Sequence, residues 1–269
     1  MNQTLRIPYL FRRPLVSLLL AVMVLASGGV GFAQKPAFYD NFDSGKLDQT
    51  KWIATDRRAS GTIKGVNAGT FNPEHLDFSH KMLRIKLTQE RGPKGIISTG
   101  GEIQSKETFG YGTYAFTMRM ASTAETSGAK GRSVSGSDSS GFTFVNNSET
   151  ELDIEFLGDQ PGFIWLTNWH NPTPASPPSR DFRTYDKVPF AGLAEGFHKY
   201  KMVWAPGSVK WYIDGKRLAA HTTNVPSAPA HILINLWGTD NTQWGGLATV
   251  GVARYLYVTN ASYTPLGAK

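Results

Sequence analysis

The sequence predicts an all-β sandwich or barrel. Short runs alternating apolar and polar residues recur along the chain, turn residues punctuate them, and no long 3.6-residue periodicity appears after Gln34. With 18% charged, 40% hydrophobic and 12% aromatic residues, the composition is that of a globular protein. The 28 glycines and 15 prolines carry no G-X-Y period, which excludes a collagen-like chain. Cysteine is absent, which excludes disulfide scaffolds, cysteine nucleophiles, Cys–zinc sites and iron–sulfur clusters.

The first element is not part of the fold. Arg6, Arg12 and Arg13 precede an apolar run from Leu15 to Ala26, and the small residues Gly31 and Ala33 stand just before Gln34. This three-part pattern reads as a secretory signal peptide over residues 1–33. A run of roughly a dozen apolar residues falls short of the ~20 that a membrane-spanning helix needs. The expectation is a secreted or periplasmic protein with one domain over residues 34–269 and no membrane contact after cleavage. The signal carries three of the 28 basic residues and none of the 21 acids, so its removal takes the net charge from +7 to +4. A mild positive charge spread along the chain does not argue for nucleic acid and suits a neutral polymer.

The strands follow in order. Met82–Leu87 alternates, as does Tyr114–Met120 with only Ala115 blurring it. Tyr200–Trp204 and Val209–Ile213 lead into Asp214–Gly215, a strong hairpin-turn signal. Ile232–Leu236 and Ala253–Val258 are also strand-like, and only Phe190–Gly196 reads as a short helical turn. Two segments read as long surface loops: Ser122–Asp138, rich in Ser, Gly, Thr and Lys, and Asn171–Pro178, with four prolines. The first either borders a groove or is a disordered surface loop.

The segment from Glu149 to Gly158 carries the most chemistry. Glu149, Glu151, Asp153 and Glu155 alternate with Leu152, Ile154 and Phe156, so a strand would put four carboxyls on one face and apolar residues on the other. Neighbouring like charges repel and raise one another's pKa. A solvated edge strand, a calcium site and a catalytic pair all remain open on pattern alone. Retaining glycoside hydrolysis needs two carboxyls about 5–5.5 Å apart. The Glu151 and Glu155 backbones would stand about 13 Å apart at ~3.3 Å per residue, so their side chains must lean together with Asp153 between them. Asp153 would share a proton with the nucleophile, and its charge would hold Glu155 protonated.

Glu151–Gly158 resembles the active-site strand of glycoside hydrolase family 16. The resemblance covers nearly all of residues 34–269. Ala37–Asp43 is similar to the family's opening strand. Gly100–Ser105 with Phe109–Tyr114 is similar to the sheet entering the cleft. Phe197–Tyr200, Trp204, Pro206 and Val209–Gly215 are similar to its hairpin, and Asn235–Gly238 to its cleft-floor motif. The resemblance implies a jelly-roll β-sandwich of the concanavalin-like kind, a concave sheet binding polysaccharide, and retention of configuration. It implies Glu151 as nucleophile, Glu155 as general acid/base and Asp153 as assisting carboxylate. The unbulged Glu-x-Asp-x-Glu spacing resembles the lichenase and xyloglucan-active branches, and Thr222–Pro229 with Asn235 and Trp237 look most lichenase-like. The substrate implied is therefore mixed-linkage β-1,3-1,4-glucan. Xyloglucan hydrolysis or transglycosylation comes next, then a sandwich that binds polysaccharide without turnover.

Further cleft residues follow from the same resemblance. Glu102 matches a carboxylate that binds sugar hydroxyls, Trp237 a stacking platform and Asn235 a polar contact beside it; Phe144 and Trp244 are further candidate platforms. Between Trp165 and His170 the register is ambiguous by one residue. Either Asn168 and His170 face the groove, which is the reading adopted, or Trp165, Thr167 and Trp169 do. Trp204 and Trp211 are expected to pack in the core. Glu149 departs from the family pattern. Leu256 stands where a calcium-ligating Asp is usual in bacterial lichenases, so no cofactor and no essential calcium are expected. The other histidines, His75, His80, His198, His221 and His231, lack metal-site spacing. A monomer is the default.

Overall fold

The alternating runs become two stacked antiparallel sheets with their apolar faces turned inward. The computed structural model describes residues 37–58 and 69–268. The signal peptide expected over residues 1–33 lies outside the described residues.

The strands are β1 (Phe38–Asp40), β2 (Trp52–Ala54), β3 (Arg57–Arg58), β4 (Thr70–Phe71), β5 (Leu76–Asp77) and β6 (Leu83–Gly92). Next come β7 (Gly95–Phe109), β8 (Gly112–Ser122), β9 (Ser137–Val145), β10 (Thr150–Leu157), β11 (Phe163–Trp169) and β12 (Arg183–Pro189). The last are β13 (His198–Ala205), β14 (Ser208–Ile213), β15 (Lys216–His221), β16 (Ala230–Gly238) and β17 (Arg254–Pro265). One sheet runs β2-β7-β16-β9-β10-β11-β12. The other runs β5-β6-β17-β8-β13-β14-β15, with β1 also on β17. The β6–β7 hairpin joins them, because each of its strands pairs within the hairpin at one end and with its own sheet at the other. This is the jelly-roll sandwich expected from the sequence.

Burial of alternate residues fills the space between the sheets. Leu152, Ile154 and Phe156 of β10 and Ile232, Ile234 and Leu236 of β16 meet Phe116 and Met118 of β8, Met202 and Trp204 of β13, and Trp211 of β14 in one cluster. Trp204 and Trp211 are core residues, as expected. Each indole N–H finds a carbonyl: Trp204 donates to Pro226 (3.0 Å) and Trp211 to Asp153 (3.1 Å). The second bond ties the far sheet to the backbone of the carboxylate strand. Asp214 and Gly215 both have positive φ, the geometry of a two-residue type I′ hairpin turn. The segment Phe190–Gly196 is a turn closed by Glu195 N–H on the Gly192 carbonyl (2.9 Å), not a helix.

The long loop after β8 is folded against the sandwich. The buried Arg119 guanidinium donates to the carbonyls of Ala194, Ser127 and Ala129, and the Tyr257 hydroxyl donates to that of Ala124. Its last residues brace the segment 239–250 through Gly136 N–H to Gly245 (2.7 Å) and Ser135 Oγ to Leu247 (2.7 Å). The proline-rich loop is pinned by Asn171, whose amide donates to the Asn147 and Ser176 carbonyls.

Candidate active site

The outward face of the β7–β12 sheet carries a groove of about 380 Å³. Period-two geometry places its lining strand by strand. Glu102 comes from β7, Asn235 and Trp237 from β16, Ser140, Phe142 and Phe144 from β9, Glu151, Asp153 and Glu155 from β10, Trp165, Thr167 and Trp169 from β11, and Arg183 and Tyr185 from β12. The three carboxyls expected to act together are thus brought together on the groove floor.

The β10–β11 pairing sets what faces them. Glu151 is opposite Trp169, Asp153 opposite Thr167, and Glu155 opposite Trp165. This corrects the expected register. Asn168 pairs with Leu152 and shares its inward face, fully buried. Its amide donates to the Thr223 and Asn224 carbonyls (3.0 and 2.5 Å), and its Oδ1 meets His221 Nδ1 at 2.6 Å. His170 lies one residue past the end of β11 and is not in the groove lining. A one-residue shift moves a whole strand's side chains to the other face, and Trp165, Thr167 and Trp169 take the groove instead.

Glu149 is a second correction. Strand β10 begins at Thr150, and Asn146, Asn147 and Ser148 all have positive φ, so the chain is still turning at Glu149. Its carboxylate accepts from the Asn146 amide (3.0 Å) and does not join the carboxyl row.

The carboxyls form two hydrogen-bonded pairs. Glu151 accepts from Asp153 and from the Ser148 hydroxyl. Burial pushes Glu151 up to about 7 against the pull of those two bonds. Asp153 is raised well above the usual range by burial, then by the charge of Glu151 and its other carboxyl neighbours, so Asp153 holds the shared proton. Glu155 is raised well above the usual range by burial and then by Asp138. Asp138, at the start of β9, is pushed up to about 7 by burial and accepts hydrogen bonds from Trp244 and Glu155. The charge that keeps Glu155 protonated is thus chiefly that of Asp138, not of Asp153 as the sequence suggested. A carboxyl that ionises near neutrality, Glu151, beside one held well above the usual range, Glu155, is the division of labour that displacement at a sugar carbon needs.

The remaining groove contacts fix its walls. Buried Glu102 accepts from Arg57 (2.9 Å), Thr55 (2.9 Å) and Asn235 (3.0 Å), and Asn235 in turn accepts from Ser140 (3.1 Å). Burial raises Glu102 against the charge of Arg57. Trp237 packs on Phe71 at that end. At the other end Trp165 stacks on Tyr185 (5.5 Å between centroids) and meets Trp244 at 5.3 Å, while Arg183 lies 4.8 Å over Tyr185 and 5.3 Å over Trp169. Phe144 stands directly beside Glu151 in the β9–β10 pairing.

Sequence reasoning missed Asp138, Phe142, Arg57, Phe71, Arg183 and Tyr185. Phe142 was readable as the same-face neighbour of Phe144. Arg183–Pro189 has no apolar face to announce a strand, and Asp138 sits where the loop ends. Among the described residues, no group of three or more His, Cys, Asp or Glu is arranged to hold a metal ion. Leu256 is buried in the core.

A jelly roll with a row of carboxyls on a groove floor between aromatic walls has the architecture of a carbohydrate-active sandwich. The chain matches glycosyl hydrolases family 16 over residues 65–254 and belongs to that family. It is 33% identical to a β-glucanase of Paenibacillus polymyxa over 208 residues, 74% of this chain and 76% of that one. It is 31% identical to a β-glucanase of Bacillus subtilis strain 168 over 235 residues, 85% and 84% of the two chains. It spans only 56% of the length of an Acetivibrio thermocellus β-glucanase, which it matches at 28% identity over 78% of its own length. Among solved structures, a β-1,3-1,4-glucanase (lichenase) from a mouse hindgut metagenome superposes with a TM-score of 0.69 at 22% identity, covering 86% of this chain and 99% of that one. The Bacillus licheniformis β-glucanase gives 0.68 at 24% identity, covering 86% and 98%. At those identities the superpositions speak for the fold.

Proposed function

We propose that this protein is a secreted, endo-acting β-glucanase that hydrolyses mixed-linkage β-1,3-1,4-glucan with retention of configuration. The observation that carries the reading is geometric: Glu151, Asp153 and Glu155 share one face of β10 on the floor of a groove walled by aromatic rings. The β-glucanases among its relatives support the substrate class. A groove lined by Trp165, Trp169, Trp237, Trp244, Phe142 and Phe144 suits sugar rings, whose apolar faces pack on aromatic rings with little entropy loss.

In this reading Glu155 gives its proton to the glycosidic oxygen as the C1–O bond breaks, and a Glu151 carboxylate oxygen bonds to C1. Water then attacks C1 from the opposite face, gives its proton to Glu155, and releases Glu151. Asp153 donates to Glu151 in the resting enzyme and orients it. Glu102 and Asn235 hold sugar hydroxyls, and residues 1–33 export the chain.

The test is product analysis with barley β-glucan, xyloglucan and laminarin side by side, with the product anomer read by proton NMR. Short β-anomeric oligosaccharides from β-glucan alone are expected. Product sizes that change with added xyloglucan oligosaccharides would replace this reading with transglycosylation. Glu151→Gln should abolish turnover and leave polysaccharide binding; retained turnover in that variant would remove Glu151 from its role.

A further inference from the structure

Two buried carboxyls of the groove sheet lie off β10: Glu102, which pairs with Arg57, and Asp138. Asp138 is fully buried at the first turn of β9, on the face that Ser140, Phe142 and Phe144 continue into the groove. Its Oδ2 accepts the Trp244 indole N–H at 2.8 Å, its Oδ1 accepts the Ser140 hydroxyl at 3.4 Å, and the Glu155 carboxyl donates to it. An ionised carboxylate buried without a cation is expensive for a fold to keep. A hydrophobic residue there would fill the same space without a buried charge.

We propose that Asp138 is a positioning residue for Glu155: by accepting its carboxyl proton in a hydrogen bond while the Trp244 indole holds Asp138 in place, it keeps Glu155 protonated and aimed between turnovers. The proposal rests on the reading of Glu155 as general acid/base. The charge of Asp138 opposes ionisation of Glu155 and so raises its pKa. Once Glu155 has passed its proton to the leaving oxygen, the same charge makes its carboxylate a stronger base for the incoming water.

The other groups facing the pair are few. Glu151 lies on the same strand as Glu155 and its charge also opposes ionisation of Glu155, while Asp159, which follows, opposes that of Asp138. Arg183 of β12 favours ionisation of Glu155. Tyr185 and Lys187 of β12 pack on Trp165. The groove-facing residues of β11 and β16 carry no charge. Among these, Asp138 alone is hydrogen-bonded to Glu155 and to a groove-wall tryptophan at once.

Asp138→Asn keeps the shape and lets an amide N–H donate to Glu155, which stabilises the ionised form. The alkaline limb of kcat/KM should then move toward acid by one pH unit or more, with the acid-side plateau within a few-fold of wild type. A role confined to folding would lower the melting temperature and leave the limb in place. Carbon-13 NMR of the side-chain carboxyls reads Glu155 without substrate. In the wild type its carboxyl should titrate together with that of Asp138, and in Asp138→Asn it should titrate at lower pH. An alkaline limb and a Glu155 resonance that both stay put would overturn the proposal. A resonance that moves with a limb that does not would support the pairing and overturn the assignment of Glu155 as the acid. If Asp138→Asn fails to fold, the joint titration in the wild type decides: independent titration of the two carboxyls overturns the proposal.

Discussion

Trp165 stands directly across from Glu155 in the β10–β11 pairing. The same indole packs on Trp244 and stacks on Tyr185, so three rings from three segments form one wall beside the Glu155 carboxyl. A sugar bound there would meet the wall and the acid together. Trp165→Ala should therefore raise KM and lower kcat/KM on β-glucan by about tenfold or more, where a factor of ten is worth about 1.4 kcal/mol. Initial rates across a substrate series measure it, and an unchanged KM would place the sugar elsewhere.

Asn168 does the opposite work beneath the sheet. It ties β11 to the residues after β15 through two donated bonds and one accepted from His221, which itself reaches Asp186 on β12 at 3.1 Å. Asn168→Ala leaves two carbonyls and an imidazole N–H without those partners, and each buried group so left costs about 1–3 kcal/mol. The melting temperature should fall by several degrees while KM stays near wild type. His170→Ala should leave KM unchanged as well. A raised KM with an unchanged melting temperature in Asn168→Ala would return Asn168 to the groove.

These two positions show where the sequence was readable. The alternation of Leu152, Ile154 and Phe156 against Glu151, Asp153 and Glu155 dictates which face is buried, because burying the carboxyls inward would be prohibitive. Between Trp165 and His170 both faces offer aromatic and polar residues, so hydrophobicity does not choose a register; the cross-strand pairing with β10 does. At Glu149 a strict alternation continued past the point where three successive residues take positive φ and the strand has not begun. Asp138 and Tyr185 were invisible for a related reason: their roles come from neighbours more than fifteen residues away, Trp244 and Trp165, which pattern within a segment cannot supply.

Arg254 seats the segment that carries Trp244. Buried with no acidic partner among the described residues, it donates to the carbonyls of Thr249, Val252 and Gly136 and to the side chain of Gln89. Gln89 donates in turn to Thr239 (2.9 Å) and accepts from Thr249 N–H (3.0 Å). Burial alone lowers the Arg254 pKa, to about 10, so the guanidinium remains charged at neutral pH. Arg254→Met removes these donors at a cost of about 1–3 kcal/mol for each carbonyl left buried. Faster hydrogen exchange over residues 239–250 and a lower kcat/KM should appear together. Exchange unchanged there would show that the segment is held by its other bonds.

The carboxyl row also sets how stability varies with pH. Glu151 and Asp138 are raised to about 7 in the fold, and Asp153 and Glu155 are raised well above the usual range, each chiefly by burial. In the unfolded chain the same groups titrate near 4. The folded state therefore holds more protons between pH 4 and 7 and above, so stability falls as pH rises through that window. Asp48, Asp77 and Asp214 are lowered in the fold, so stability also falls in acid as they protonate. The melting temperature should peak near pH 4–5 and decline toward pH 8. Asp153→Asn keeps a donor for Glu151 and removes one group that resists ionisation in the fold but ionises on unfolding. It should raise the melting temperature at pH 8, where 1 kcal/mol is worth about 2–4 °C in a domain of this size, and change it little at pH 4.5. Turnover should drop in the same variant, because functional sites are held at the expense of stability. A melting temperature that climbs steadily from pH 4 to 8 would mean that these carboxyls ionise freely in the folded protein, and that the row is solvated rather than poised for proton transfer.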